Sequence, residues 1–217
     1  MSSYYLPEDE SQKRRIDIIL SALQPGPHER ILDLGCGGGS LAYHCAKRGA
    51  DAVGIDYSQE SVRIAEQLVR QLGLSEKAEF KCCDATKKLP YDDGYFNKIV
   101  AGDFIEHIDD AEKKASLSEM TRILKPDGTI VISTPNGPRE WLGSVKSKLL
   151  KLDGAYVSGT RLHYGLINRF RFEKMLKDTD LSFKRQFFDV TRPYLAKIPL
   201  LNEFLSLNIL WVIKKKA

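Results

Sequence analysis

The sequence predicts an α/β fold built on a parallel sheet, and three observations carry that expectation. Short β-branched runs alternate with longer helical patterns between residues 30 and 135. Each pair of runs is separated by enough chain for a crossover helix, which parallel neighbours require. A glycine-rich turn, "GCGGG" at 35–39, then joins the first run to the first helix behind it. In open parallel sheets such a loop lies where ligands bind, beyond the carboxyl ends of the strands.

The elements follow in order. "RILDLG" (30–35) reads as a buried strand and "SLAYHCAKRG" (40–49) as a helix closed by Gly49. "DAVGID" (51–56) is a second strand, and Ser58 is placed to cap the helix "QESVRIAEQLVRQL", which ends at Gly73. "AEFKCCD" (78–84) is a third strand and "NKIVAGD" (97–103) a fourth. Asp109 and Glu112 have the spacing of a capping box. The helix behind them must stop before Pro126, and "PDG" turns the chain into the fifth strand, "TIVIST". Past residue 135 the rhythm breaks. An irregular segment precedes the helix "RFEKMLKDT", and "LSFKRQFFDV" and "NILWVIKKK" read as two more strands. The 217 residues suffice for one domain with a sizeable core and are few for two.

Composition narrows the classes. Hydrophobic residues make up 42% and charged residues 29%, ordinary for a soluble globular chain. The net charge of +4 is mild, and the late cations Arg192, Lys214, Lys215 and Lys216 read as a solvated end rather than a nucleic-acid surface. No apolar run reaches the roughly 18 residues of a membrane span. The start, "MSSYYLPEDESQKRR", lacks the pattern of a signal peptide, so the expected compartment is the cytoplasm. Cys36, Cys45, Cys82 and Cys83 form no C-x-x-C pair and read as free thiols.

The glycine turn lets the backbone approach a ligand closely, and the helix N-terminus behind it favours negative character. A dinucleotide fingerprint, G-x-G-x-x-G, fails because the sixth position from Gly35 is Ser40. A P-loop is absent, since no Gly-Lys-Ser/Thr follows. Asp56 ends the second strand 21 residues after Gly35, where a carboxylate can accept both ribose hydroxyls. Asp84 ends the third strand, placed to read an adenine amino edge. Asp103, Glu106 and His107 stand at i, i+3 and i+4, which on one helical turn would share a face.

"ILDLGCGGGSLA", "VGIDYSQESVRIAEQ", "CCDATKKLPYDDGYFNKIVAGDFIEHI" and "EMTRILKPDGTIVISTPN" together resemble the successive motifs of class I S-adenosylmethionine-dependent methyltransferases. The nearest resemblance is to the ubiquinone-biosynthesis O-methyltransferases and their small-molecule relatives, good over 29–136 and looser over 160–190. It implies a Rossmann-like three-layer sandwich whose seven-stranded sheet is mostly parallel, the last strand antiparallel. One domain would span 1–217, with residues 1–28 as an N-terminal cap region and 137–165 as a substrate-side insertion. It also implies roles. Asp33, Gly35, Cys36 and Gly37 would line the methionine half of S-adenosylmethionine, Asp56 would hold the ribose, and Tyr57 would lie beside the adenine. Asp84 and Ala85 would contact the adenine edge, and Gly102 and Asp103 would flank the sulfonium.

Three readings of Asp103, Glu106 and His107 stay open. They form a turn that shapes the pocket; or His107 is a general base for a substrate hydroxyl; or the three bind a divalent metal that orients a catechol-like acceptor. His163 is a second acid/base candidate. Methyl transfer needs alignment and exclusion of water more than side-chain chemistry, so the lack of a Ser-His-Asp set is no objection. "AGDF" lacks the Asn/Asp-Pro-Pro-aromatic motif of the DNA-base methylating relatives. The expected activity is methylation of a small or lipid-like acceptor, most often at oxygen. The rivals are a non-catalytic methyltransferase-like subunit and a nicotinamide oxidoreductase. In "REWLGSVKSKLLKL" (139–152), Trp141, Leu142, Val145, Leu149 and Leu152 share one helical face flanked by Lys146 and Lys148. That pattern fits either a lid packed on the domain or a helix in peripheral contact with a membrane that admits an amphiphilic acceptor. The oligomeric state is not legible in the sequence.

Overall fold

A computed structural model describes residues 10–137, 169–179, 181–189 and 206–216. The expected seven-stranded sheet is present, with strand order β3-β2-β1-β4-β5-β7-β6. The strands are β1 (Arg30–Leu34), β2 (Asp51–Asp56), β3 (Ala78–Cys82), β4 (Phe96–Gly102), β5 (Leu124–Pro135), β6 (Leu181–Phe188) and β7 (Asn208–Lys215). β1 to β5 run parallel. β7 is antiparallel to both its neighbours, β5 and β6. The order reverses between β1 and β4, so a crevice for a ligand opens there, above Leu34 and Gly102.

Among the described residues five helices cover the two faces: α1 (Glu10–Leu23), α2 (Ser40–Ala46), α3 (Gln59–Gln71), α4 (Asp110–Ile123) and α5 (Arg169–Lys177). Alternation along the central strands splits the core in two. Ile130 and Ile132 point into one cluster with Leu117 and Met120 of α4 and Phe172 of α5. Val131 and Val100 point into the other, with Ile19 of α1, Ala42 of α2 and Ala65 of α3. The three layers follow directly from this division.

The local signals act as read. The Ser58 hydroxyl accepts the Ser61 N–H at 3.2 Å and caps α3. Asp109 and Glu112 form the reciprocal capping box of α4. Two boundary differences bear on the site. β5 begins at Leu124, five residues before Thr129, because Leu124 already pairs with Phe96 across an irregularity in the ladder. β3 stops at Cys82, opposite the last residue of β2, Asp56. Asp84 therefore lies beyond the strand: an edge strand has no further partner once its one neighbour has ended.

Candidate functional site

The glycine loop is shaped by conformations that favour glycine. Gly35, Gly37 and Gly39 have φ of 72°, 50° and 80°. The N–H groups of Gly35 and Cys36 both donate to the Ile55 carbonyl at 2.9 Å, which ties the loop to the end of β2. A Cβ at Gly39 would lie 2.7 Å from the Ala65 Cβ, and one at Gly35 2.7 Å from Phe104 Cδ2. At Gly37 a Cβ would meet nothing within 4 Å. Gly35 and Gly39 thus serve close packing, whereas Gly37 faces open space at the crevice.

Asp56 is at the centre of this side. Its Oδ2 accepts the Gly37 N–H and its Oδ1 the Ser58 N–H, each at 2.9 Å. Two backbone donors hold the carboxylate at the rim and leave it lone pairs for a diol. Tyr57 beside it is 84% exposed, an aromatic face with no packing role. The Asp56 carbonyl accepts the Cys83 N–H at 2.9 Å, so the third rim segment is fastened to the second. Asp84 is exposed and accepts from the Thr86 hydroxyl and N–H at 2.7 and 2.9 Å, bonds that hold its carboxyl below the usual range. Ala85 is buried, and its carbonyl accepts the Ser116 hydroxyl at 2.8 Å.

Asp33 and Cys36, expected to line the methionine half of the cofactor, are both buried. Asp33 is 2% exposed and accepts the Ala42 N–H of α2 at 3.0 Å. Burial pushes its carboxyl up to about 7, the Ala42 N–H opposes the rise, and the charge of Asp56 adds to it. Cys36 is buried, which pushes its thiol far up, so the thiol is inert. Both brace the loop from beneath.

Across the crevice, β4 ends at Gly102 and Asp103 turns into the left-handed region with φ of 52°. Aspartate tolerates that conformation better than most residues. The Asp103 N–H donates to the Ser133 carbonyl at 2.8 Å, and its Oδ2 pairs with Arg15 Nη1 of α1 at 2.6 Å. Glu106 sits on a single 3-10 turn, Ile105–His107, and is wholly buried, its Oε2 accepting the Thr134 hydroxyl at 2.9 Å. Burial and the neighbouring Asp103 charge push the Glu106 carboxyl well above the ordinary range, against the pull of Thr134 and Arg15. His107 is partly exposed on the same turn.

The expectation of one helical face therefore fails. Asp103 precedes the turn and is directed by its positive φ toward Arg15, while Glu106 points inward to β5. Among the described residues no three His, Cys, Asp or Glu side chains are arranged to hold a metal ion. The metal reading is set aside on that geometry. His163 and the segment 139–152 lie outside the described residues.

Arg15 and Phe104 were missed in the sequence. Arg15 had a signal: Arg15, Ile19 and Leu23 are spaced i, i+4, i+8, and Ile19 and Leu23 are two of the three buried residues of α1, with Leu20. A cation on the inward face of a helix asks for an anion beneath it. Phe104 had none, since its contact with Gly35 depends on how β1 and β4 adjoin.

The rim offers a carboxylate for a diol, an exposed aromatic ring, a cation, and open space over a glycine. These residues fit an adenosyl amino acid. A methyltransferase-domain family profile matches residues 25–179. Norajmaline N-methyltransferase of Rauvolfia serpentina is 40% identical over 48% of the chain and 35% of its own length. A ubiquinone biosynthesis O-methyltransferase of Methylococcus capsulatus is 34% identical over 58% of the chain and 49% of its own length. The chain thus spans less than half the length of each of these two relatives. Geranyl diphosphate C-methyltransferase of Streptomyces coelicolor, solved with S-adenosyl-L-homocysteine, superposes with a TM-score of 0.71 at 16% identity, covering 95% of this chain and 81% of that one. At a TM-score of 0.69 and 18% identity, the [4+2]-cyclase SpnF covers 98% of this chain and 85% of its own, so the fold alone does not fix the reaction. The profile spans most of the chain and coincides with the glycine loop, Asp56 and Asp84: the chain belongs to the class I S-adenosylmethionine-dependent methyltransferases.

Proposed function

We propose that the protein methylates a small or amphiphilic acceptor at a hydroxyl oxygen. The observation that carries this reading is the division of the crevice at the β1–β4 reversal. One wall holds Asp56, Tyr57 and Asp84, and the other ends in Asp103 with Glu106 behind it. When bound, S-adenosylmethionine supplies an electrophilic methyl carbon on a sulfonium, which needs no activated enzyme nucleophile. The chain has to hold the adenosyl group, dry the site and remove the acceptor's proton. Asp56 accepts from the ribose hydroxyls, Tyr57 stacks on the adenine, and Asp84 and the backbone at Ala85 read its edge. Gly35 and Gly37 leave room for the amino-acid end, whose carboxylate is met by Arg15. Gly102 and Asp103 stand beside the sulfonium.

His107, partly exposed on the turn after β4, is the general base in the simplest form of this scheme, with His163 as a second candidate. Oxygen as the acceptor atom is supported by the ubiquinone O-methyltransferase relatives, and nitrogen by the norajmaline relative. No helix among the described residues is long and apolar enough to cross a membrane, which is compatible with an acceptor delivered from solution or from a bilayer surface. Nothing in the charge pattern calls for nucleic acid, and a cytoplasmic setting suits the free thiols. The test is incubation with methyl-labelled S-adenosylmethionine and a metabolite extract, followed by identification of the labelled product. A labelled methyl ether supports the reading, a labelled amine moves the chemistry to nitrogen, and no labelled product removes the activity.

A further inference from the structure

Helix α5 turns Phe172, Glu173 and Leu176 to the interior. Phe170, Lys174 and Lys177, spaced i, i+4, i+7, make its outward stripe, and all three are exposed. Glu173, the one carboxylate in the helix, accepts from Arg185 Nη1 of β6 and Trp211 Nε1 of β7. The outer face of the helix is therefore cationic, and the first outward carboxylate after it is Asp178. Phe170 at the leading end is 66% exposed, with the Arg169 guanidinium 4.2 Å over its ring. Arg169 and Arg185 lie 5.7 and 5.3 Å over the ring of Phe187 on β6. This corner stands at the sheet end that carries the site. Phe187 and Thr134 both pair with Ile209, so they are level across β7. Arg171 reaches Asp110 at the start of α4, 3.1 Å away, just past the turn that carries His107.

We propose that the outer face of α5 docks on an anionic bilayer surface, with Phe170 in the headgroup–acyl boundary and Lys174 and Lys177 against lipid phosphates. A phenyl ring held in water is relieved at that boundary. The lysine stems lie along apolar surface while their ammonium groups reach the phosphates. The guanidinium stacked on Phe170 keeps Arg169 at phosphate level while the ring beneath it is desolvated. Each cation near an anionic leaflet adds attraction that fades within a Debye length, and hence with salt. One ring and a few cations make a reversible contact rather than an anchor. A nucleic-acid duplex offers such a ring little apolar surface, and a single strand is held in a groove, whereas this is the outer side of a helix. The contact deepens the reading of an amphiphilic acceptor and rests on it for its purpose: docking at this corner brings the crevice end of the sheet close to the surface from which such an acceptor is drawn.

The experiment is sedimentation of the whole chain with vesicles of phosphatidylcholine, alone or mixed with phosphatidylglycerol, at low and high salt. The mixed vesicles should carry the protein down at low salt and release it at high salt, and the neutral ones should leave it in solution. Phe170→Ser should weaken partitioning by about tenfold, the loss of one buried aromatic side chain. Lys174→Gln and Lys177→Gln should each weaken it by about fivefold. All three positions are exposed, so the variants should fold and bind S-adenosylhomocysteine as the wild type does. Glycerol phosphate should displace the protein no more than sodium chloride of equal ionic strength, which separates a lipid surface from a free phosphate. The proposal is overturned if the wild type stays in solution at low salt, if neutral vesicles bind it equally, or if the α5 variants partition unchanged. A Trp141→Ala variant that loses binding while the α5 variants keep it overturns it too, as does tighter binding to an oligonucleotide of equal phosphate content. Vesicle binding without a methylated product leaves this proposal and removes the activity; a methylated product without vesicle binding does the reverse.

Discussion

The two walls of the crevice use carboxylates in opposite ways. On the β2–β3 side, Asp56 and Asp84 lie at the surface with backbone or hydroxyl donors on their oxygens. Such donors stabilise the charged form, and the Asp84 carboxyl is accordingly held low. On the β4–β5 side, Glu106 is buried beside a like charge and is pushed up. The first wall is a fixed set of acceptors suited to holding hydroxyls and an amino edge. The second holds a carboxyl shielded from water and pushed toward its neutral form. Both stand on the same sheet end, so the difference comes from what surrounds each carboxyl rather than from the fold.

Breaking the first wall at its foundation has the largest effect. Gly39→Ala adds a Cβ against Ala65 and Phe80 at a φ of 80°, so it should destabilise the domain by about 2–4 kcal/mol in denaturant unfolding. Gly37→Ala sharpens the contrast. Its Cβ meets no atom within 4 Å, so only the left-handed strain remains, roughly 1 kcal/mol. That variant should fold yet lose cofactor binding by tenfold or more, because its methyl occupies the ligand's space.

Asp33 extends the comparison below the loop. Its folded pKa of about 7 lies above the usual carboxylate value, so between roughly pH 4 and pH 7 the native state binds more protons than the unfolded chain. The Asp33 contribution to stability is therefore present at low pH and lost as the pH rises through about 7. Asp33→Asn keeps an acceptor for the Ala42 N–H and should flatten that loss, about 4 kcal/mol at most, in unfolding curves taken across the range. A slope unchanged by the substitution would mean that Asp33 is ionised in the fold.

Smaller effects belong to the exposed groups. Tyr57→Ala should leave stability within about 0.5 kcal/mol, since the residue is 84% exposed, and weaken cofactor binding by about 1 kcal/mol. Smallest of all, EDTA should leave turnover and cofactor affinity unchanged, because Asp103, Glu106 and His107 do not converge. Loss of turnover on chelation, restored by Mg²⁺, would reinstate the metal reading.

The legible and illegible parts divide along the same line as the two walls. The strand–helix rhythm, the caps at Ser58 and Asp109, and the rim positions of Gly37, Asp56 and Asp84 depend on neighbours a few residues apart, and the sequence carries them. The Asp103–Glu106–His107 spacing suggested a helical face, but a positive φ at Asp103 and a hydroxyl 28 residues away, on Thr134, decided otherwise. Arg15 reaches Asp103 from α1 across the sheet end, a contact no local pattern contains. Side chains held by another strand or by the opposite layer become visible only once the layers are assembled.

Asp56→Ala tests the central claim most directly. Calorimetry of the wild type should show binding of S-adenosylmethionine and S-adenosylhomocysteine and no response to NAD. The variant should bind both more weakly by about 1.5–3 kcal/mol, the loss expected for hydrogen bonds to a charged acceptor. Equal affinities in wild type and variant, or binding of NAD by the wild type, would contradict the account.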